Sequence, residues 1–209
     1  MPDFSEFYTE IAVTKMDKMK PIAEQLPKDQ IIAELTPAKL LRRTNNGSNE
    51  VYLFDHRNSP ALMHEIGRIR EITFRHAGGG TGKDIDLDEF DIDPEDPQKQ
   101  LIVWDPENKE MIGGYRLYFP PKGCTTCDVT KLASSSYFRF SEKFLRKYYP
   151  HMMELGRSFV HPDYQSRTMD RKSLFALDNL WDGLGAIILD NHHLKYLFGK
   201  VTMYPHFDQ

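Results

Sequence analysis

The chain has 209 residues, 40% apolar and 28% charged, with a formal net charge of -4. This size and balance suit one globular domain with a sizeable core and exclude a wholly disordered chain. They give no reason to expect nucleic acid as the main partner, and no apolar run approaches the roughly 20 residues that span a bilayer. The N-terminus carries no signal-peptide core, so the expected location is the cytoplasm. Cys124 and Cys127 form a lone Cys-x-x-Cys in a loop-like stretch. A structural zinc normally takes four protein ligands, so no metal is expected there, and the pair reads as reduced thiols.

Residues 1–49 read as an N-terminal arm with a short helix between Gln30 and Arg43, capped by Thr36. Residues 50–209 form the main domain, opening with a strand over Glu50–Asp55. Ser59-Pro60 supplies an N-cap and first-turn pair for a helix over Ala61–Ala77, ended by Gly78. Leu62, Met63, Ile66, Ile69, Thr73, Phe74 and Ala77 share one face of that helix. Arg70 falls within this apolar sector, and a buried guanidinium calls for an acidic partner.

Gly78-Gly-Gly-Thr-Gly-Lys83 resembles a phosphate-binding loop only superficially. Ala77 stands where the first glycine belongs, Asp84 replaces the Ser/Thr, and a helix precedes it instead of a strand. A mobile loop is the expectation. The carboxylate-rich run that follows, with Asp86, Asp88 and Asp91, lacks the glycine and terminal glutamate of a calcium loop. It reads either as a solvated acidic loop or as the partner of Arg70 and Arg116.

Leu101–Trp104 and Met111–Phe119 predict a hairpin, with Gly113-Gly114 permitting close approach of a ligand. An amphipathic helix is expected over Tyr137–Tyr149, bearing Lys143, Arg146 and Lys147, with Arg139 just before it. The next strand, Glu154-Leu-Gly-Arg157-Ser-Phe-Val160, places two opposite charges where burial would cost several kcal/mol per unpaired ion. Strict alternation sends Glu154 and Arg157 to opposite faces, but a bulge at Gly156 would turn both into one cleft. That strand reads as the centre of an active site. A helix over Lys172–Asn191 follows, with a core stripe of Leu174, Leu177, Trp181, Leu184 and Ile188. Gly183 and Gly185 within it point to close packing, and a last strand is expected over Leu194–Met203.

From Ile66 to Tyr204 the chain resembles the lipid N-acyltransferase branch of the GNAT superfamily, often labelled hemolysin-like, which makes ornithine and glycine lipids. The motifs that carry the likeness are R-I-R-E-I-T-F-R from Arg68, Gly113-Gly-Tyr-Arg116, E-L-G-R-S-F-V from Glu154, Phe175-Ala-Leu-Asp-Asn-Leu-Trp181 and Gly199-Lys-Val-Thr-Met-Tyr204-Pro. It is similar, more distantly, to the acyl-homoserine-lactone synthases through Arg70, Phe74, Asp86, Asp88, Asp91, Arg116, Glu154 and Arg157. The resemblance implies an α/β fold with a mixed, mainly antiparallel central sheet flanked by helices. It also implies that the C-terminal elements of relatives are lacking here, so a sheet edge near Lys195–Met203 would favour self-association.

The implied reaction transfers a long-chain, in some relatives 3-hydroxylated, fatty acyl group to the amine of a small amino acid such as glycine or ornithine. Gln165-Ser-Arg-Thr-Met-Asp170-Arg has no glycine where acyl-CoA-dependent members bind pyrophosphate. An acyl carrier protein is therefore the expected donor and partner, with acyl-CoA as the alternative and no resident cofactor. Its acidic surface would meet Arg139, Lys143, Arg146, Lys147, Arg167, Arg171 and Lys172. Glu154 is the expected base, with Arg157 beside it, and Arg70, Phe74, Asp86, Asp88, Asp91 and Arg116 form the amino-acid site. Phe159, Val160, Gln165 and Trp181 would meet the acyl-pantetheine arm, with strand N–H groups stabilising the thioester oxyanion. Two other readings stay open: an acyl-CoA-dependent acetyltransferase acting on another amine, and a non-enzymatic, membrane-active protein. A detergent-like lipid product would explain the second label without a pore, and would bring the protein to the membrane periphery.

Overall fold

Apolar residues alternate in facing along the middle of the chain, and that period of two builds a sheet with two apolar faces. The computed structural model describes residues 19–124, 128–165 and 175–201. Six strands lie side by side in chain order: β1 (Leu40–Arg43), β2 (Glu50–Phe54), β3 (Lys99–Asp105), β4 (Glu110–Tyr118), β5 (Met152–Val160) and β6 (Tyr196–Gly199). Neighbours are antiparallel except β5 and β6, which run parallel. The expected mixed, mainly antiparallel sheet is what the chain forms. Asp105 closes the β3–β4 hairpin by accepting the backbone N–H groups of Glu107 and Asn108 at 2.9 and 3.0 Å, an Asx turn.

Among the described residues five helices decorate this sheet: α1 (Lys28–Ala33), α2 (Pro60–His76), α3 (Glu89–Ile92), α4 (Glu142–Lys147) and α5 (Ala176–Asp190). On one face, Leu62, Ile66 and Ile69 of α2 pack against Phe54, Ile102, Trp104 and Phe159. On the other, Leu180, Leu184 and Ile187 of α5 meet Val51, Leu101, Val103 and Leu117. Each such side chain contributes about 1.5–3 kcal/mol on burial. No helix among the described residues is long and apolar enough to cross a membrane.

Several local expectations need correction. The helix expected over residues 30–43 is the shorter α1, and Leu40–Arg43 is a strand instead. Pairing with β2 decides this, because Leu-Leu-Arg-Arg has no strong preference of its own. The arm therefore supplies an edge strand, and a boundary at residue 49 cuts the β1–β2 hairpin. Ser59 sits at the N-cap of α2 but makes no side-chain capping bond, its hydroxyl donating to Asn58 Oδ1 instead. The Glu34 carboxylate takes that role, accepting from Ala61 N–H at 3.0 Å and Leu62 N–H at 2.8 Å, an anion at a helix start. The helix expected over 137–149 is broken, leaving only the short α4 between single 3₁₀ turns. The buried stripe of α5 runs through Ala176, Leu180, Gly183, Leu184 and Ile187. Leu177 lies outside it, and Trp181 is 57% exposed. Gly183 sets this rotation: a Cβ there would stand 2.8 Å from Val51 Cγ1 and 2.9 Å from Leu101 Cδ1, so the helix turns its smallest residue to the sheet. Leu174 and residues 202–203 of the expected last strand lie outside the described residues.

The two glycines of α5 should therefore respond oppositely. Gly183→Val is expected to destabilise by about 1–3 kcal/mol through overpacking. Gly185→Ala, where an added Cβ meets nothing within 4 Å, is expected to gain about 1 kcal/mol from helix propensity. Urea unfolding of both variants measures the difference.

Candidate active site

Arg70, on the sheet-facing side of α2, is fully buried, as its place in the apolar sector predicted. Its partner is Asp91 of α3, at 3.0 Å. Asp91 Oδ1 accepts from Arg70 Nη1 and, at 2.9 Å, from Gln100 Nε2. Asp91 Oδ2 accepts from Arg116 Nη1 at 3.0 Å and from the Asp88 N–H at 3.1 Å. All of the roughly four acceptor directions of one carboxylate are thus filled. Gln100 closes the ring by accepting from Arg70.

Charge then alternates outward from Asp91. Arg116 reaches Asp88; Asp88 meets Arg157 at 3.1 Å, and Arg157 Nε lies 3.1 Å from Asp86 Oδ2. Three guanidiniums face three carboxylates, so the cluster is neutral. Phe90 lies under the Arg116 guanidinium, 5.5 Å from its ring centroid. The acidic run is therefore no solvated loop. Arg70, Asp86, Asp88, Asp91, Arg116 and Arg157 come together, and Phe74 stands one turn beyond Arg70, packed against the core beneath.

Gly67 allows the acidic segment to cross α2 so closely. The Asp86 N–H donates to the Gly67 carbonyl at 2.9 Å. A Cβ on Gly67 would stand 3.0 Å from Leu87 Cγ and 3.2 Å from Ile85 Cβ. Neither Gly67 nor Gln100 stood out in the sequence. A glycine inside an amphipathic helix and a polar residue at an inward strand position were the available signals.

β5 carries a bulge, as the reading of Glu154 and Arg157 required, but one residue later than expected. Gly114 pairs with Phe159 and Arg116 with Gly156, so Tyr115 alone opposes both Arg157 and Ser158. Arg157 takes φ +47° there, a conformation that costs a non-glycine residue about 1–2 kcal/mol. The extra residue brings Arg157 to the same face as Glu154, Gly156 and Phe159. Glu154 does not touch Arg157. Its two oxygens accept from the backbone N–H groups of Ala133 and Ser134 at 2.9 and 3.0 Å. Gly113 and Gly114 admit neighbouring strands, not a ligand: a Cβ on either would meet a carbonyl oxygen at 2.5 Å, of Phe159 and Leu101 respectively.

The β5–β6 ladder ends at the pair Leu155 and Gly199, and among the described residues no strand continues it along Gly156–Val160. His161 N–H donates inward to Ile112 at 2.7 Å. By alternation, Val160 turns its N–H and C=O to the open edge, where its carbonyl accepts from Gln165 Nε2. Gln165 thus reaches the Val160 backbone, while the neighbouring side chains part, Phe159 into the core beneath α2 and Val160 against the core beneath α5. Trp181 is turned outward on α5 and is 57% exposed. Arg167, Arg171, Lys172 and Cys127 lie outside the described residues.

The glycine-rich loop does hold an anion, but an internal one. Glu71 accepts from Thr81 N–H at 2.9 Å, Gly82 N–H at 2.8 Å and Arg75 Nε at 2.8 Å. Burial opposes its charge, and these donors reverse that and hold its pKa below the ordinary carboxylate value. Beyond Val160, His161 borders a recess of about 170 Å³ with Glu65, Arg68 and Tyr164. Among the described residues no cluster of His, Cys, Asp and Glu is placed to hold a metal ion.

Burial pushes the Asp91 carboxyl up, but Arg70 and Arg116 outweigh it and keep its pKa low. At Asp86 burial prevails, and its carboxyl is raised despite Arg157. Asp91→Asn should leave two buried guanidiniums short of an anion and cost about 3–5 kcal/mol in urea unfolding. His161 is shifted the other way for a base: burial lowers its pKa below the usual 6.5. The unfolded chain then binds the proton first, so stability present above pH 6.5 is lost as pH falls through the folded value. Melting temperature should fall between neutral and mildly acidic pH, and His161→Gln should flatten that part of the profile.

Comparison with known proteins agrees with this architecture. Residues 69–174 match the acetyltransferase (GNAT) domain family. The chain is 50% identical over 188 residues to a glycine N(alpha)-acyltransferase of Bacteroides thetaiotaomicron, covering 90% of this chain and 56% of that protein. It is also 50% identical over 193 residues to a glycine N(alpha)-acyltransferase of Phocaeicola vulgatus, covering 90% of this chain and 57% of the relative. The chain thus spans a little over half the length of these curated relatives. No solved structure matches it. On the match to residues 69–174, which runs from the helix carrying Arg70 past the bulged strand, the chain belongs to the GNAT acetyltransferase family.

Proposed function

We propose that this chain carries the acyl-transfer site of an amino-acid N-acyltransferase, moving a long-chain fatty acyl group from a carrier thioester to the amine of glycine, with ornithine or another small amino acid as the alternative acceptor. The product is an N-acyl amino acid lipid of the hemolysin-like branch. One observation supports this reading: the bulge turns Arg157 to the same face of β5 as Glu154, beside a stretch, Gly156–Val160, that pairs with no further strand among the described residues. The similarity to two glycine N(alpha)-acyltransferases supports glycine as acceptor.

Within that reading Arg157, 32% exposed while Arg70 and Arg116 are buried, receives the carboxylate of the amino acid. Asp86 and Asp88 hold its fork at the right angle, and the Asp91 ring holds them. Phe74 closes the floor of the site. Glu154 takes the proton of the α-ammonium, directly or through a water, using the lone pairs that Ala133 and Ser134 leave unused. The amine attacks the thioester carbonyl and the C–N bond forms; as the C–S bond breaks, the second proton lost from nitrogen passes to the sulfur, which leaves as the carrier thiol. Val160 N–H at the open edge stabilises the oxyanion, and Phe159 and Gln165 border the pantetheine arm. Trp181, turned outward on α5, has no part in this reading.

The carrier is an acyl carrier protein, favoured by the absence of glycine in Gln165-Ser-Arg-Thr-Met-Asp170-Arg. An acyl-CoA donor is the second reading, favoured by the acetyltransferase description of the family. Incubating the protein with acyl carrier or acyl-CoA thioesters and glycine or ornithine, with thiol release and product mass as readouts, separates the two. Thiol release only with acetyl-CoA would remove the lipid reading. Glu154→Gln is expected to lower turnover by at least about 100-fold. Its amide also turns an N–H toward Ala133 or Ser134, so melting temperature is measured alongside. A folded variant with full turnover would show that Glu154 is not the base.

A further inference from the structure

Residues 137–148 and β6 with its flanks form a surface unlike the rest of the molecule. These two short stretches hold seven aromatic residues and six cations, Arg139, Lys143, Arg146, Lys147, Lys195 and Lys200, against the single acid Glu142. These stretches thus carry a formal charge of +5 on a chain of net charge -4. The aromatics are contiguous. Phe198 of β6 lies 6.0 Å from Phe140 and 6.4 Å from Phe138 between ring centroids, and Tyr148 lies 5.1 Å from Tyr196. Its outer members are open: Tyr137 is 69% exposed, Phe138 46% and Val201 88%. Cations sit over the rings, Lys200 at 4.8 Å from the Tyr137 centroid and Lys147 at 5.8 Å from that of Tyr148.

We propose that this face docks the protein on an anionic lipid bilayer, with Tyr137, Phe138 and Val201 entering the headgroup region and the lysines and arginines meeting lipid phosphates. Charge complementarity names the partner. Polybasic surfaces are drawn to anionic leaflets, while exposed aromatic rings with polar or cationic tips suit the water–hydrocarbon boundary. An acidic protein surface would answer the cations but leaves the rings and Val201 without a counterpart. Lys200 and Val201 also follow the last β5–β6 pair, so the face borders the mouth of the open edge. A lipid product leaving there would enter the bilayer without crossing water. The docking face itself stands independently of the acyl-transfer reading.

Vesicle co-sedimentation of the purified chain tests this. With phosphatidylcholine vesicles containing phosphatidylglycerol, the protein is expected to pellet at low salt and be released at high salt; with phosphatidylcholine alone it stays in solution. Lys143→Gln with Lys147→Gln should weaken binding by about 30-fold, the loss expected for two cations at an anionic surface. Tyr137→Ser with Phe138→Ser should weaken it as well, and both pairs are exposed enough to leave the melting temperature unchanged. Arg43→Gln, on the far sheet edge, should bind like the parent. Failure to pellet with anionic vesicles at low salt overturns the proposal. Equal weakening by Arg43→Gln overturns the choice of face. Self-association or capture of an acidic acyl carrier, abolished by the same variants and without vesicle binding, assigns the surface to a protein and also overturns it.

Discussion

Everything at the candidate site leans on the carboxylate of Asp91. Among the described residues it is the one anion that touches both enclosed guanidiniums, and it also closes the start of α3 by accepting from the Asp88 N–H. Removing two arginines from water is expensive, and only a saturated acceptor of this kind offsets it. The arrangement explains why an acidic run of surface-like composition is folded inward. It also explains why Gln100, neutral but able to donate and accept at once, stands between the two strands of the hairpin and α2.

The rigid interior contrasts with the conformation of Arg157. Its left-handed backbone is disfavoured for any side chain with a Cβ. Two aspartates hold the guanidinium from the loop side and the β4 ladder holds the backbone from the other. Strain of this kind persists where surroundings over-determine it, and such places are often functional. A regular strand would have turned Arg157 toward α5 and its apolar packing.

Much of this was legible in the residues. The burial of Arg70 followed from its angle on an amphipathic helix, its acidic partner from the cost of a bare charge, and the bulge from two charges of opposite parity in one strand. What escaped has identifiable causes. Leu40–Arg43 became a strand through pairing with a partner that periodicity does not reveal. The stripe of α5 was read through its largest residues, whereas close packing chose Gly183 and moved Trp181 out. The capping of α2 was read locally at Ser59, but Glu34 supplies it from a different part of the chain. The glycine-rich loop read as unattached because nothing in its own sequence announces that Glu71, on the preceding helix, fills its cradle.

The ladder between β5 and β6 stops after four registered pairs. Neighbouring strands are rotated by about 20–25° with respect to each other. Two strands that part company early must therefore fan out, as the blades of half-opened scissors do. The width of the entrance between them then follows from where the zipper halts. A single further rung would narrow it, and one fewer would leave Glu154 open to water.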